Sequence, residues 1–257
     1  MNEPLVSVIM PAHNAQAFVA QSIQSVFDQT FPDWELIVCN DASTDATERV
    51  IGTYRADARV RYIAVKTTRG AAGARNAALA LSRGRYVAFL DADDVWAAGK
   101  LERQLEFAET TRAPVTFHSY QELRSDERRP AKIIHAPSRI SYGDLLKTNS
   151  IGLLTAMMDT QQTGRRQFAE GKQREDYRYW LSILRPGASH GTPLYARGMP
   201  DVLAFYRVHP GSKSANKKRA AYNQWRVYRD SEGLSPLRAG YYFAHYALNG
   251  YRKHRPE

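Results

Sequence analysis

The stretch Arg85-Tyr-Val-Ala-Phe-Leu-Asp-Ala-Asp-Asp94 decides the fold, because an apolar run leads directly into three acidic residues. A short continuous apolar run is typical of a strand buried on both faces of a parallel sheet. Carboxylates at the end of a buried strand cost free energy unless a neighbouring charge neutralises them. We therefore predict a central strand over Arg85–Leu90 that delivers Asp91, Asp93 and Asp94 to one edge of a sheet.

Three further predicted strands precede this one and alternate with helical patterns. Strands are predicted over Leu5–Met10, Trp34–Cys39 and Val60–Val65. The helices between them are indicated by Val19, Ile23, Val26 and Phe27 at helical spacing, by a cap at Ser43 or Thr44 with a helix continuing to Tyr54, and by an alanine-rich segment from Gly73 to Leu81. This order predicts an α/β, Rossmann-like fold with a mostly parallel central sheet and flanking helices.

Polar clusters follow three of the predicted strands, at residues 12–14, 40–45 and 91–94. In doubly wound sheets, ligands bind beyond the carboxyl ends of the strands. The sequence therefore places its candidate site at that edge of the sheet.

The composition is that of an ordinary globular domain with a basic excess. The 257 residues contain 36 Lys and Arg against 26 Asp and Glu, a formal net charge of +10, and a single cysteine. One cysteine excludes an internal disulfide framework, and we expect Cys39 in the core of a protein from a reducing compartment. No signal-peptide pattern and no membrane-length apolar run is present, so we expect a cytoplasmic protein. The charge excess is either a solvated basic face or a surface for nucleic acid, anionic membrane or phosphate-rich substrates.

The pattern is looser after Lys100. A helix, a short strand, an exposed charged loop, a short helix, a longer helix and a strand are predicted, in that order, over Leu101–Thr110, Val115–His118, Ser125–Pro130, Ser141–Lys147, Arg174–Leu184 and Val202–Val208. Helices complete the chain. The segment Ala239–Tyr251 is almost wholly apolar and aromatic and precedes a basic end. It either lies on the inner face of a membrane, with basic residues on lipid phosphates, or docks on the core.

The acidic turn suggests chemistry with a metal ion. A divalent cation held between these carboxylates and a diphosphate would neutralise both, since hard cations take oxygen ligands and substrate phosphates together. Such a metal stabilises charge that develops on a leaving group. The alternative is an acidic turn that only caps the following helix, because short acidic triplets are common.

Four segments together resemble an ordered set of family motifs. They are Val6-Ser-Val-Ile-Met-Pro-Ala-His-Asn14, Asn40-Asp-Ala-Ser-Thr-Asp45, Gly73-Ala-Arg-Asn76 and Phe89-Leu-Asp-Ala-Asp-Asp94. In this order and spacing they resemble glycosyltransferase family 2, whose inverting enzymes have the GT-A fold. The resemblance is close over about the first hundred residues. It implies transfer of a sugar, hexosyl-like, from a nucleotide-sugar donor to an acceptor hydroxyl.

The resemblance also implies roles for single residues in the donor site. Pro11, Ala12 and Asn14 would line the nucleotide pocket, and Asp41 would bind the base, usually uracil. Arg75 would contact the base or the phosphates, since its planar fork suits both. Asp91, with Ala92, would face the ribose and donor sugar, and Asp93 would bind Mg²⁺ or Mn²⁺. As alternatives, Asp41 and Asp45 only shape a turn or helix cap, and Arg75 lies on the surface.

Two positions depart from the usual family pattern. Asn40-Asp41 replaces a common Asp-Asp, and Thr68-Arg69-Gly70 replaces an Asn-x-Gly. The second departure weakens the assignment of the base. 

The second half supplies candidates for acid–base chemistry. Arg174-Glu175-Asp176-Tyr177 resembles the late acidic motif of the family, which implies Asp176 as general base, with Glu175 as a second candidate. Inverting transfer needs a carboxylate that removes the acceptor proton, although an acid at a helix start can be purely structural. Further along, Arg207 would meet the diphosphate and His209 would add a metal or phosphate contact.

We predict a GT-A domain over residues 1–215, with a nucleotide-sugar-binding half at 1–100 and an acceptor and catalytic half at 101–215. A C-terminal helical extension covers 216–257. Residues 141–149, with 151–158, resemble members that build bacterial surface polysaccharides of the teichuronic acid and lipopolysaccharide types. The resemblance implies that this region borders the acceptor, a saccharide or lipid-linked saccharide. The alternatives are a nucleotidyltransferase and a basic nucleic-acid-binding protein, but no nucleic-acid-binding motif is present.

Overall fold

A computed structural model describes residues 3–124, 131–187, 194–208 and 217–253. The described chain contains one mixed sheet of ten strands, with helices on both of its faces. The α/β prediction is therefore confirmed. The predicted loop at Ser125–Pro130 lies outside the described residues.

Four parallel strands form the first part of the sheet, as predicted. They are β1, Val6–Ala12; β2, Trp34–Asp41; β3, Val60–Val65; and β4, Tyr86–Phe89. Their order is β3-β2-β1-β4, with Ala12 level with Asn40 and Asp41 level with Val65. Because all four strands run in the same direction, the loops that follow them meet at one edge.

The helices between these strands differ from the predictions mainly at their starts. They are α1, Val19–Phe27; α2, Thr47–Gly52; and α3, Gly70–Leu79. The predicted cap of α2 at Ser43 or Thr44 is wrong. The N-cap is Ala46, and Asp45 Oδ1, one residue before it, accepts from Thr47 N at 3.0 Å. Helix α3 begins three residues before the predicted Gly73, since Gly70 with φ of +70° turns the chain into it.

The rest of the sheet is mixed and less regular. The remaining strands are β5, Val95–Trp96; β6, Val115–Arg124; β7, Ile133–Ile134; β8, Arg139–Ile140; β9, Met157–Asp159; and β10, Ala196–Val208. Strand β9 lies antiparallel between β4 and β6. Strands β6 and β10 pair in parallel, and both are longer than predicted. Strand β10 has a register irregularity between Met199 and Ala204, which accommodates Pro200 within it.

The second half adds helices around this sheet. They are α4, Lys100–Thr111; α5, Tyr142–Lys147; α6, Thr160–Thr163; α7, Glu175–Leu184; α8, Lys217–Arg226; and α9, Pro236–Lys253. A 3₁₀ turn covers Leu153–Thr155, and a π-helical turn covers Val227–Ser231. Ser141 and Asp144 form a capping box at the start of α5, with Asp144 N donating to Ser141 Oγ at 3.3 Å.

Buried side chains form an apolar layer on each face of the sheet. One layer contains Ile9, Ile37 and Phe89 with Trp180 of α7, and the other contains Val8 with Leu101 of α4. The alternation of Val8 and Ile9 follows from the two-residue period of a strand. Cys39 is fully buried in the first layer, as predicted.

The C-terminal helices pack on the first of these layers. Tyr228 and Ala239 are fully buried, and Tyr228 Oη donates to Leu146 O at 2.5 Å. The opposite side of α9 is open, with Leu237 88% and Tyr241 55% exposed. Along the described ranges, no helix is both long and apolar enough to cross a membrane.

Candidate active site

A cavity of about 470 Å³ opens at the carboxyl edge of the parallel strands. Its walls come from the loops after β1 and β2, from the start of α3 and from the acidic turn after β4. The lining residues are Pro11, Ala12, His13, Ala15, Asp41, Thr68, Gly70, Ala71, Ala74, Arg75, Asp91, Ala92 and Asp93. A cavity therefore lies at the edge of the sheet where the sequence places its candidate site.

Asp41 lies at the end of β2 and holds the loop that leads into α3. Its Oδ2 accepts from Thr68 Oγ1 at 2.8 Å, and its Oδ1 accepts from Arg69 N at 2.7 Å. A carboxylate oxygen can accept more than one hydrogen bond, so both oxygens retain acceptor capacity toward the cavity. Thr68, one of the departures from the family pattern, is thus tied directly to Asp41.

The loop after β1 is fastened to the loop after β2. His13 Nδ1 lies 2.6 Å from Asp41 O, and Asn14 Oδ1 accepts from Thr44 N at 2.8 Å. Asn14 has φ of +48°, a left-handed conformation that asparagine tolerates better than most residues. Its side chain contacts the neighbouring loop and is not among the residues that line the cavity, whereas Pro11 and Ala12 are.

The acidic turn divides its three carboxylates between two environments. Asp91 and Asp93 line the cavity, whereas Asp94 is buried and its Oδ1 accepts from Arg207 N at 2.8 Å. Burial, with the nearby charges of Asp91 and Asp93, raises the pKa of Asp94 to about 8. Arg207 also donates from Nε to Asp93 O at 2.8 Å. Arg207 therefore braces the backbone of this turn and is not among the residues that line the cavity.

Arg75 joins the two halves of the site. It is 5% exposed, and its Nη2 donates to Asp91 Oδ1 at 2.7 Å while Nη1 lies 3.7 Å from Glu175 Oε1. Burial opposes its charge, but Asp91, Glu175 and Asp176 outweigh that cost and raise the pKa of Arg75. The alternative of a surface arginine is therefore wrong.

Asp176 lies in the first turn of α7, beside Glu175. Its Oδ2 accepts from Asn149 Nδ2, which lies 3.1 Å away in the loop after α5. Arg174, which precedes the helix, has φ of +58° and contacts the rings of Tyr177 and Tyr246. Through Arg75, these two acids approach the same edge of the sheet as the acidic turn, although neither lines the cavity.

The Gly73-Ala-Arg-Asn76 segment on α3 packs closely against Arg69 and Phe168. A Cβ at Gly73 would lie 2.4 Å from Arg69 Cβ, so this close approach needs glycine. Asn76 Nδ2 donates to Phe168 O at 3.0 Å, and Asn76 Oδ1 accepts from Phe168 N at 2.7 Å. Phe168 stacks on Tyr179 with ring centroids 3.9 Å apart. The motif thus fixes the segment that precedes α7.

Sequence reasoning missed several residues of the site. His13 lies inside a quoted motif, and Thr68 was noted only as a departure. Asn149 ends the 141–149 segment that resembles surface-polysaccharide enzymes, but no role was predicted for it. His209, predicted as a metal or phosphate ligand, lies outside the described residues. Within those residues, no group of three histidine, cysteine or acidic side chains could by itself hold a metal ion.

The fold and the cavity define an α/β protein with a ligand site at the carboxyl edge of its parallel strands, where acidic and polar loops surround the cavity. Residues 7–171 match the sequence profile described as glycosyl transferase family 2. The chain belongs to this family and is a glycosyltransferase, as the sequence motifs predicted.

Two similar proteins cover nearly the whole chain. A protein of Bacillus subtilis (strain 168), provisionally named as the teichuronic acid biosynthesis glycosyltransferase TuaG, is 42% identical over 252 residues, covering 98% of each chain. An Escherichia coli protein is 36% identical over 254 residues, covering 99% of this chain and 96% of its own. It is named UDP-Glc:alpha-D-GlcNAc-diphosphoundecaprenol beta-1,3-glucosyltransferase WfgD.

Solved structures share the fold at low sequence identity. TarS 1-349 of S. aureus, in complex with UDP-GlcNAc, gives a TM-score of 0.71 at 19% identity and covers 94% of this chain and 71% of that one. The mannosyltransferase PcManGT of Pyrobaculum calidifontis, with GDP-Man and Mn²⁺, gives 0.67 at 17% identity, covering 100% and 77%. These matches confirm the predicted GT-A architecture.

Proposed function

We propose that this glycosyltransferase transfers a sugar, with inversion, from a UDP-sugar to a hydroxyl of a lipid-linked saccharide during synthesis of a bacterial surface polysaccharide. The observation that carries the proposal is the single edge at which Asp41, Asp91 and Asp93 line a cavity while Arg75 links Asp91 to Glu175. The E. coli relative is named for a UDP-glucose donor and a diphosphoundecaprenol-linked acceptor, and the TarS complex holds UDP-GlcNAc.

The donor occupies the cavity of about 470 Å³ in this proposal. The uracil lies against Pro11 and Ala12, and its ring N–H donates to the carboxylate of Asp41. The hydroxyl of Thr68 holds that carboxylate in place at 2.8 Å. Asp91 receives hydrogen bonds from the ribose or donor-sugar hydroxyls. The hydrogen bond from Arg75 orients the side chain of Asp91.

The acidic turn fits a divalent cation shared with the diphosphate. Mg²⁺ is usually held by one or two carboxylates together with substrate phosphates, and not by a cage of protein ligands. Asp93, with Asp91 beside it, provides such a partial set of hard oxygen donors within the cavity. Mg²⁺ or Mn²⁺ bound there would stabilise the negative charge on the departing nucleoside diphosphate. Arg207 supports this role because it fixes the backbone oxygen of Asp93.

Asp176 acts as the general base in the proposed reaction. The acceptor hydroxyl gives its proton to the Asp176 carboxylate as its oxygen attacks the anomeric carbon. The bond between the anomeric carbon and the phosphate oxygen breaks, and the electron pair leaves with UDP. Glu175 is committed to the ion pair with Arg75 at 3.7 Å, which favours Asp176 over Glu175 as the base.

The exposed side of α9 supports a peripheral membrane contact on the inner face of the cytoplasmic membrane. Leu237, Tyr241 and Leu248 recur at helical spacing and are 88%, 55% and 56% exposed. Arg238 lies beside them in a surface cavity of about 550 Å³ between α5 and α9. An apolar stripe with basic neighbours is typical of helices that lie in a lipid interface. Such a contact would bring the active site to an acceptor that is itself held by a lipid.

Binding calorimetry tests the donor site. We expect UDP to bind in Mn²⁺, to bind weakly in chelator, and to lose metal-dependent affinity in Asp93→Asn. Asp230→Asn, which removes an exposed carboxylate paired with Arg226, serves as the matched control. Failure of the folded protein to bind UDP or any UDP-sugar contradicts the proposed donor.

Turnover and lipid binding test the remaining parts. With UDP-glucose and GlcNAc-diphosphoundecaprenol, Asp176→Asn should bind UDP normally and lose at least 100-fold in kcat, the scale of general base catalysis, about 10²–10⁴. Release of pyrophosphate in place of UDP would indicate a nucleotidyltransferase.

Sedimentation with anionic vesicles should fall in a Leu237→Ser, Tyr241→Ser double variant. Equal sedimentation of that variant and the wild-type protein contradicts the membrane contact.

A further inference from the structure

Asn149 lies between the end of α5 and the start of the proposed base. Its Nδ2 donates to Asp176 Oδ2 at 3.1 Å. Among the described residues, this is the hydrogen bond that reaches the side chain of Asp176, since Arg75 acts on that carboxylate through its charge. Helix α7 is fixed beside this contact, because Tyr177 Oη donates to Leu145 O at 2.8 Å. The amide and the carboxylate are thus held together by two packed elements.

The oxygen of the same amide lowers the stability of the fold. Asn149 Oδ1 is buried and has no hydrogen-bond partner in the described part of the chain. A buried acceptor without a partner lowers stability, and an apolar side chain of similar size would avoid that loss. Asn149 is therefore poorly suited to a purely structural role in this loop. Its one satisfied end points to the carboxylate on which the proposed reaction depends.

We propose that Asn149 is a positioning residue that orients the general base. The inference rests on the proposed function, in which Asp176 accepts the proton of the acceptor hydroxyl. The amide N–H donates to Oδ2 of Asp176, so that Oδ1 remains as the proton acceptor and rotation of the carboxylate is restrained.

Arg75 and Asn149 act on Asp176 in different ways. Arg75 balances the summed charge of Asp91, Glu175 and Asp176, and a charge acts without fixing the rotation of one carboxylate. Asn149 carries no charge and forms one directed bond. A misplacement of about 1 Å in a catalytic group can cost about 100-fold in rate. Loss of the amide should therefore lower turnover strongly and leave donor binding in the separate cavity unchanged.

The test replaces Asn149 with leucine, which has a similar size and removes both polar atoms. Asn149→Leu should bind UDP and Mn²⁺ with wild-type affinity and show an equal or higher Tm. Its kcat should fall by about 100-fold, on the scale of a misplaced catalytic group. Turnover is measured as release of UDP from UDP-glucose, with GlcNAc-diphosphoundecaprenol as acceptor and with water alone. Asn223→Leu on α8 is the matched control and should keep wild-type kcat.

Two further results separate this inference from the function on which it rests. If Asp176→Asn keeps full turnover, the proposed base is wrong and the function fails at that step. If Asp176→Asn is inactive while Asn149→Leu keeps wild-type kcat, the base stands and the positioning role is overturned. A variant that loses Tm, UDP affinity and kcat together also overturns it, because Asn149 would then hold the loop as a whole. Asn149→Ser, which keeps a short donor, should recover part of kcat if the directed bond matters.

Discussion

Replacement of Arg75 by methionine should destabilise the protein more than any substitution of an exposed arginine. Arg75 is 5% exposed, and its guanidinium is the cation next to Asp91, Glu175 and Asp176. Methionine retains an apolar stem of similar length, so the change removes the charge and the donors with little loss of packing. The variant leaves the three carboxylates close together without that cation.

The expected magnitude follows from the burial of each partner. Removal of one member of a fully buried charge pair costs about 3–5 kcal/mol. The side chains of Asp91 and Glu175 are 36% and 30% exposed, so water recovers part of their solvation. We therefore expect a loss of about 2–3 kcal/mol in the free energy of unfolding. For a chain of this size, that loss corresponds to a decrease in Tm of about 5–10 °C.

Urea unfolding and scanning calorimetry, in chelator at neutral pH, measure this loss. Arg226→Met is the matched control, because Arg226 pairs with Asp230 on the surface at 2.7 Å and should contribute less than about 1 kcal/mol. An Arg75→Met, Asp91→Asn double variant should recover part of the loss, since one of the repelling carboxylates is then neutral. If Arg75→Met unfolds within about 1 kcal/mol of the control, the view of Arg75 as the charge that balances this site is wrong.

Three further substitutions test other parts of the fold. Burial alone would raise the pKa of Glu35, but hydrogen bonds and the charge of Arg83 lower it below its ordinary value of 4.5. The stabilisation from Glu35 is therefore complete above about pH 4.5 and is lost as the pH falls through the lower pKa of the folded state. Glu35→Gln should decrease Tm more at pH 7 than at pH 3. Asn76→Ala removes both hydrogen bonds to the backbone of Phe168 and should cost about 2–3 kcal/mol by urea unfolding. Arg112→Gly replaces an exposed residue with φ of +50° at the end of α4 and should raise stability by about 0.5–1 kcal/mol in the same assay.

The parallel half of the sheet was predictable because local sequence determines it. Strands β1 to β4 are rich in apolar residues, and each is separated from the next by a helical pattern. The antiparallel strand β9 was not predictable, since Met157–Asp159 is three residues long and is defined by its pairing with β4 and β6. The start of β10 was also missed, because Pro200 and Asp201 interrupt any apolar pattern there. The pairing of β10 with β6, with an irregular register at this point, keeps these two residues in the strand although they disfavour strands.

The location of the candidate site was predictable from the sequence, whereas the contacts of each side chain were not. Asp41 was expected to bind a base, and its carboxylate is also tied to Thr68 and Arg69 N. Arg207 was expected at the diphosphate, and the sequence did not indicate that it also donates to the backbone oxygen of Asp93 in the acidic turn. A motif shows which residues occur together along the chain. It does not show which of them contact one another and which contact a ligand.

The burial of Arg75 explains why the acidic motif of the second half could not be interpreted alone. An arginine on an alanine-rich helix would ordinarily face water, because burying its charge without partners costs several kcal/mol. Its burial is possible because Asp91 follows 16 residues later and Glu175 approaches from a distant part of the chain. Conversely, those carboxylates can approach one another because Arg75 lies between them. The donor pocket and the proposed base therefore depend on the same cation. A change that removes it should impair UDP binding and turnover together, whereas the loss of Asn149 should separate them.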